Sequence, residues 1–209
     1  AATDFAAFLT DYIEQRRNAP GDDLITQLIA AEEDGTRLST PELIATCILL
    51  LNAGHEATVH SIGNATRLLL GQPDPHRHLT PDRIAATVEE LLRLDPPLHM
   101  FTRYAYEDVT LHGHSFRRGD RIGLLLGAAN RDPGQWQNPD RFDPARPAKP
   151  HAAFGAGLHF CVGAPLARLE LQIALKTLFN RCPGLRLSGR ARFADTYHFH
   201  GLDRLMLRL

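Results

Sequence analysis

Cysteine is scarce in this 209-residue chain, which holds only Cys47, Cys161 and Cys182. So small and odd a number excludes a disulfide framework and fits a reducing compartment, so a cytoplasmic protein is expected. Long apolar runs are missing too. The most apolar segment, 43–51, is too short to span a bilayer and no signal-peptide pattern appears, so no membrane partner is expected. Neither sign of charge dominates: 23 Lys and Arg face 24 Asp and Glu, a net charge of -1, which leaves no footprint of nucleic-acid binding. No internal repeat or low-complexity stretch occurs. The first residue is Ala1 instead of methionine and a helical pattern starts at once, which leads us to expect a segment of something longer. What is there, 44% hydrophobic and 22% charged, is ordinary globular composition, enough for one domain or for part of a larger one.

The stretch that organises the chain is Phe154-Gly155-Ala156-Gly157-Leu158-His159-Phe160-Cys161-Val162-Gly163. It brings a lone cysteine to a glycine turn just before a strongly periodic helix. A thiolate at neutral pH needs help, and a helix beginning at Gly163 and Ala164 offers unpaired N–H groups and the positive end of its dipole. Pro165 suits the first helical turn, where its missing donor costs nothing. Gly155, Gly157 and Gly163 remove side chains where something flat and bulky could press on the backbone, and Phe154 could shield the sulfur.

Upstream, apolar spacing predicts helices from Thr3 to Arg17, from Asp22 or Asp23 to about Glu33 with Asp34-Gly35 closing it, and from Ser39 or Thr40 without a proline until Pro73. The third is long enough to cross a domain. In its middle, Ala53-Gly54-His55-Glu56-Ala57-Thr58 interrupts an apolar surface with small and polar residues. Gly54 weakens the helix by about 1 kcal/mol relative to alanine, which suggests a bulge or a close-approaching ligand. His55-Glu56 also begins a zinc-peptidase pattern. The second histidine is His60, however, at i+5 and about 140° around the helix, so the pair cannot easily share one metal.

His76-Arg77-His78, after a proline-rich break, reads as a solvated surface turn. A further helix follows from Thr80-Pro81 to Leu94 and carries Glu90 and Arg93 on one face. From 101 to 126 the period shortens, which predicts strands at Thr102 to Tyr106, Val109 to Leu111, His114 to Phe116 and Arg121 to Leu126. A proline-rich meander, 131–153, must be shaped by outside contacts. Past Cys161 a buried helix runs to Cys182-Pro183-Gly184, with Cys182 structural, and Arg192 to Leu209 suggests a terminal hairpin. These elements make the chain mainly α with a small β-sheet.

The cysteine stretch resembles the F-G-x-G-x-H-x-C-x-G loop of the haem-thiolate monooxygenases, the cytochrome P-450 superfamily, and matches it at every fixed position. The 53–58 segment resembles that family's oxygen-binding A-G-x-[D/E]-T-T on a long central distal helix, with Ala57 where the first threonine stands. Glu90, Arg93 and Arg141, the last in Pro139-Asp140-Arg141-Phe142, resemble its buried Glu-Arg-Arg network. Arg103 and His159 match its haem-propionate partners, and 197–200 lies where members line the distal pocket. The resemblance implies that 1–209 is a single partial domain, the C-terminal haem-binding half of that fold, with the N-terminal half absent. It further implies haem b (iron protoporphyrin IX) with Cys161 as the iron ligand and Phe154, Gly155 and Gly163 packed near it. Gly54, Glu56, Ala57 and Thr58 would lie over the oxygen site. The implied reaction inserts one atom of O2 into a small or medium apolar organic substrate, with NAD(P)H electrons delivered by a ferredoxin or flavodoxin and its reductase. Because Ala57 lacks the relay hydroxyl, Thr58, a water or a substrate hydroxyl would have to stand in, with Glu56 recruiting protons. Direct use of peroxide, substrate-assisted proton delivery, and an inactive truncated haem-binding fragment stay open as alternatives.

Overall fold

The computed structural model describes residues 2–31 and 38–209, which group into two compact units, Ala1–His55 and Glu56–Leu209. In the first unit, α1 (Ala2–Asn18), α2 (Leu24–Ala31) and the start of α3 (Thr40–Leu70) form the helices that their spacing predicts. Leu9, Ile13, Ile29, Leu43 and Cys47 are its buried core. Asp23 Oδ1 accepts from the Thr26 N–H at 2.9 Å, which secures the start of α2. The expected end of that helix at Glu33 and its closure at Asp34-Gly35 lie outside the described residues. At the start of α3 the Ser39 N–H and Oγ both donate to Glu42 Oε2 at 2.8 and 2.7 Å, the carboxylate half of a capping box. Its 31 residues span about 46 Å at 1.5 Å per residue.

The second unit is built on α4 (Ile84–Leu94) and α6 (Ala164–Arg181), whose apolar faces meet the later turns of α3. Leu69, Val88, Leu91, Leu171, Leu175 and Phe179 are its buried centre. α4 starts at Ile84, later than Thr80-Pro81 implies. The Thr80 carbonyl accepts from the Arg83 and Ile84 N–H groups and makes a turn of those residues first. His78 departs from the solvated-turn reading. It is buried, with its ring edge-on to Phe142 at 5.2 Å, and burial together with the Arg77 charge lowers its pKa.

Among the described residues the strands pair as four separate two-stranded antiparallel ladders. β1 (Met100–Tyr104) pairs with β4 (Arg121–Leu125), and β2 (Val109–Leu111) with β3 (His114–Phe116), close to their expected bounds. His112 and Gly113 turn the second hairpin with φ of 49° and 81°, a conformation glycine adopts without cost. A short helix, α5 (Leu126–Ala129), leads into the meander. The terminal hairpin is β6 (Arg192–Phe193) with β7 (Leu202–Arg204), and the last strand, β8 (Leu207–Arg208), pairs outside it with β5 (Arg186–Leu187).

The loop between β6 and β7 is tied down at Asp95, the residue that ends α4. Its buried carboxylate accepts from Arg67 at 2.8 Å and faces His200 Nε2 at 3.1 Å. The His200 ring is stacked between His99 and Phe193, with centroids 3.9 and 4.2 Å away. The His200 N–H donates to the Pro97 carbonyl, and the His99 N–H to that of His198. Asp95, His99 and His200 stand within 4.8 Å of one another, the spacing of a metal trio. Arg67 holds one carboxylate oxygen, however, and the imidazoles lie face to face, so the trio is a carboxylate tied to Arg67 beside a ring stack. Tyr197 and His198 at the loop tip are exposed.

Burial alone would raise the Asp95 pKa, but His200 and Arg67 outweigh it and bring the value below 3.8. The ionised form therefore stabilises the fold above pH 3.8, and that contribution disappears as pH falls through the lower folded value. Asp95→Asn removes the buried carboxylate that holds Arg67 and faces His200, for an expected loss of about 1 to 3 kcal/mol in urea unfolding at pH 7. The deficit of the variant should shrink as both proteins are taken to pH 3.

Candidate functional site

The cysteine loop is shaped by its glycines. Gly155 and Gly157 adopt φ of 70° and 67°, which side chains rarely tolerate, and between them the chain reverses into a 3-10 turn at Gly157–His159. This presents Cys161 exposed at the start of α6, with Pro165 in the first turn as expected. The Cys161 N–H donates to the Phe154 carbonyl at 2.9 Å, which closes the loop on itself. The Ala164 N–H, one of the amides expected to serve the sulfur, donates instead to the Cys161 carbonyl at 3.2 Å. A Cβ at Gly163 would stand 3.8 Å from Sγ, so the glycine keeps that side of the sulfur open. Leu158 (96% exposed), Val162 (88%) and Phe160 (50%) leave bare apolar surface around it.

β1 brings Arg103 to the same face. With His159 and Gly155 it lines a depression of about 340 Å³ that also includes Phe101 and Tyr104. The two expected propionate partners, 56 residues apart in sequence, thus share one opening and offer it a guanidinium and an imidazole.

The buried network departs from expectation in one member. Arg93 Nε and Nη2 donate to Glu90 at 2.7 and 2.9 Å, with side chains 1% and 4% exposed. Arg93 also donates to the carbonyls of Asn130 at 2.7 Å and Arg141 at 3.4 Å. Arg141 thus contributes its backbone, and its side chain is exposed. The second guanidinium facing Glu90 belongs to Arg146, 3.4 Å away. Arg146 escapes the pattern because the chain turns between Asp143 and Arg146, which points the later side chain inward; the Asp143 N–H itself donates to Glu90 at 2.9 Å. Trp136 lies between Arg93 and Lys149, each 5.2 Å from its ring, and the Asn130 side chain accepts from the Ala152 N–H at 2.6 Å. Those are the outside contacts that the proline-rich meander needs.

On α3 the acid that meets the alcohol is also not the expected one. Glu56 is exposed and faces His60 one turn on, at 3.7 Å. Thr58 Oγ1 donates instead to Glu170 of α6 at 3.2 Å. Nothing in the sequence singles out Glu170, because the contact joins residues 112 apart. Ala57 presents no polar atom, and a Cβ at Gly54 would meet nothing within 4 Å. His55 is exposed whereas His60 packs on Phe199, in keeping with their different sides of the helix.

A family profile described as Cytochrome P450 matches residues 84–184. Cytochrome P450 107B1 of Saccharopolyspora erythraea is 44% identical over 100% of this chain and 53% of its own length. The 6-deoxyerythronolide B hydroxylase of the same organism is 41% identical over the same shares. Among solved structures, P450BioI in complex with hexadec-9Z-enoic acid ligated acyl carrier protein superposes with a TM-score of 0.92 and 42% identity. That match covers 99% of this chain and 53% of the other. The chain spans about half the length of the curated relatives it matches. No helix among the described residues is long and apolar enough to cross a membrane.

The two arginines should separate in urea unfolding. Arg146→Ala removes a cation from a buried carboxylate and is expected to cost about 1 to 3 kcal/mol. Arg141→Ala keeps the carbonyl that Arg93 uses and should stay within about 0.5 kcal/mol of the parent.

Proposed function

The chain belongs to the cytochrome P450 family, and from that premise we propose that it is the haem-carrying part of a monooxygenase with Cys161 as the iron ligand. The observation that carries this is a single exposed thiol at the head of α6, ringed by uncovered apolar side chains. Among the described residues, the only group of three or more potential ligands, Asp95, His99 and His200, does not include it. A metal held by one protein sulfur needs its other ligands from elsewhere, and a porphyrin supplies them. The residues fit such a group. The apolar rim suits a flat macrocycle, Arg103 and His159 suit its two carboxylates, and Phe154, Gly155 and Gly163 leave room beside the sulfur.

Haem b, when bound, supplies the activation of O2, and the chain's own residues supply ligation, orientation and proton handling. Glu56, Ala57 and Thr58 lie on the helix proposed to face the oxygen site, with Gly54 on the same helix. Because Ala57 has no hydroxyl, Thr58 is the alcohol that can pass a proton, and Glu170 is the acid that holds it. Glu56, exposed, would take protons from solvent. The substrate we propose is a small or medium apolar organic molecule, with electrons from NAD(P)H through a ferredoxin or flavodoxin and its reductase, in the cytoplasm. The alanine also favours a second reading, in which peroxide replaces O2 and reductant or the substrate's own hydroxyl completes the relay.

The reading is tested by the absorption spectrum of the haem-reconstituted chain after reduction and addition of carbon monoxide. The strongly red-shifted band of thiolate-ligated ferrous haem is expected, and Cys161→Ala should lose it. A wild-type chain that takes up no haem would refute a working oxygenase and leave an inactive fragment. Thr58→Ala should keep the band yet lower product formed per electron by about a hundredfold, the low end of what a positioned proton donor contributes. Faster turnover with peroxide than with O2 and reductant would favour the second reading.

A further inference from the structure

Glu89 and Glu90 are neighbours on α4, about 100° apart around the helix, and they serve different partners. Glu90 faces Arg93, Arg146 and the meander, whereas Glu89 reaches α6. Arg168 Nε and Nη2 donate to its two oxygens at 2.6 and 2.9 Å, a two-pronged pair that fixes direction as well as distance. That guanidinium lies 4.6 Å from the centre of the Phe154 ring. From the other side, His151 Nδ1 accepts the Ala153 N–H at 3.2 Å. Its remaining nitrogen, Nε2, faces Glu89 at 3.3 Å, and its ring is tilted on Phe154 at 6.0 Å. One carboxylate therefore holds Arg168 and faces His151, the two groups that contact the Phe154 ring. Burial alone would raise the Glu89 pKa, but His151 and Arg168 outweigh it and bring it to about 2, so the clamp stays ionised at neutral pH.

Phe154 is the ring tied to the cysteine loop, because its carbonyl accepts the Cys161 N–H at 2.9 Å and its edge meets Phe160 at 6.4 Å. It also borders an open cavity of about 480 Å³ lined by Glu89, Trp136, His151, Phe160 and Arg168. With space on that side, the ring depends on Arg168 and His151 to keep it against the loop.

We propose that Glu89 is a positioning residue for Cys161, acting through Arg168 and His151 to hold Phe154, and through the Phe154 carbonyl to hold the loop that presents the sulfur. Its functional meaning rests on Cys161 being the iron ligand, but the mechanical link does not. The test is therefore made on the 209-residue chain without cofactor, by amide hydrogen exchange resolved to single residues. Glu89→Gln and Arg168→Gln should each speed exchange at Cys161 about tenfold, while Leu91 in α4 and Leu175 in α6 keep the parent rates. Phe154→Leu should speed Cys161 by a similar factor, and adding Glu89→Gln to it should change nothing more, because the acid acts through that ring. Equal acceleration along α4 and α6 would make the pair general bracing and overturn the proposal. So would an unchanged rate at Cys161, additive effects in the double variant, or failure of both single variants to fold. A chain that shows the exchange pattern but no carbon monoxide band would overturn the haem reading alone, and the reverse result would overturn only the role of Glu89.

Discussion

Arg93 and Glu90 are almost fully withdrawn from water, and such a pair is tolerable only when every remaining donor and acceptor is used. That requirement organises much of the second unit. The Arg93 guanidinium has N–H groups left after Glu90, and the carbonyls of Asn130 and Arg141 take them. Glu90 has acceptor capacity left after Arg93; the Asp143 N–H takes part of it, and the Arg146 guanidinium faces it at 3.4 Å. A meander with almost no regular structure thereby acquires one shape, because its backbone completes the solvation of a buried charge. Trp136 covers the assembly, and Asn130 passes the constraint on to Ala152, two residues before Phe154.

The cysteine loop inherits its position from that arrangement on one side and from α6 on the other. Its glycines allow the reversal, and the bond from Cys161 to the Phe154 carbonyl closes it. Consecutive acids on α4 divide the labour, Glu90 shaping the meander and Glu89 reaching the helix that follows the cysteine. Two buried or half-buried ion pairs one residue apart thus brace opposite ends of a single loop. The Glu90 pair is withdrawn from water, whereas the Glu89 pair is partly exposed and partly screened by solvent, its two-pronged geometry giving it direction.

Across the same unit, Thr58 and Glu170 connect α3 to α6, and Asp95 connects the end of α4 to the tail. The first joins two helices, and the second begins from a helix and captures a segment with weak structure of its own. The helices are held by apolar burial, with Val88, Leu171, Leu175 and Phe179 at the centre, and the polar contacts determine how the loops between them are folded.

The sequence by itself determined the helices, the strand positions, the glycine turn and the family, because these depend on local periodicity, backbone freedom and short motifs with fixed spacing. It also identified Glu90 and Arg93, whose i,i+3 spacing places them on one helical face whatever the rest of the chain does. The tertiary structure alone decided which guanidinium completes that pair, Arg146 and not Arg141. It likewise decided which acid meets the α3 alcohol, Glu170 and not Glu56, and that His78 is buried. In each case several residues of the right type lie within reach along the chain. The choice among them is made by how a loop turns or how two helices pack, and that geometry comes from burial summed over the whole unit, which no local pattern encodes.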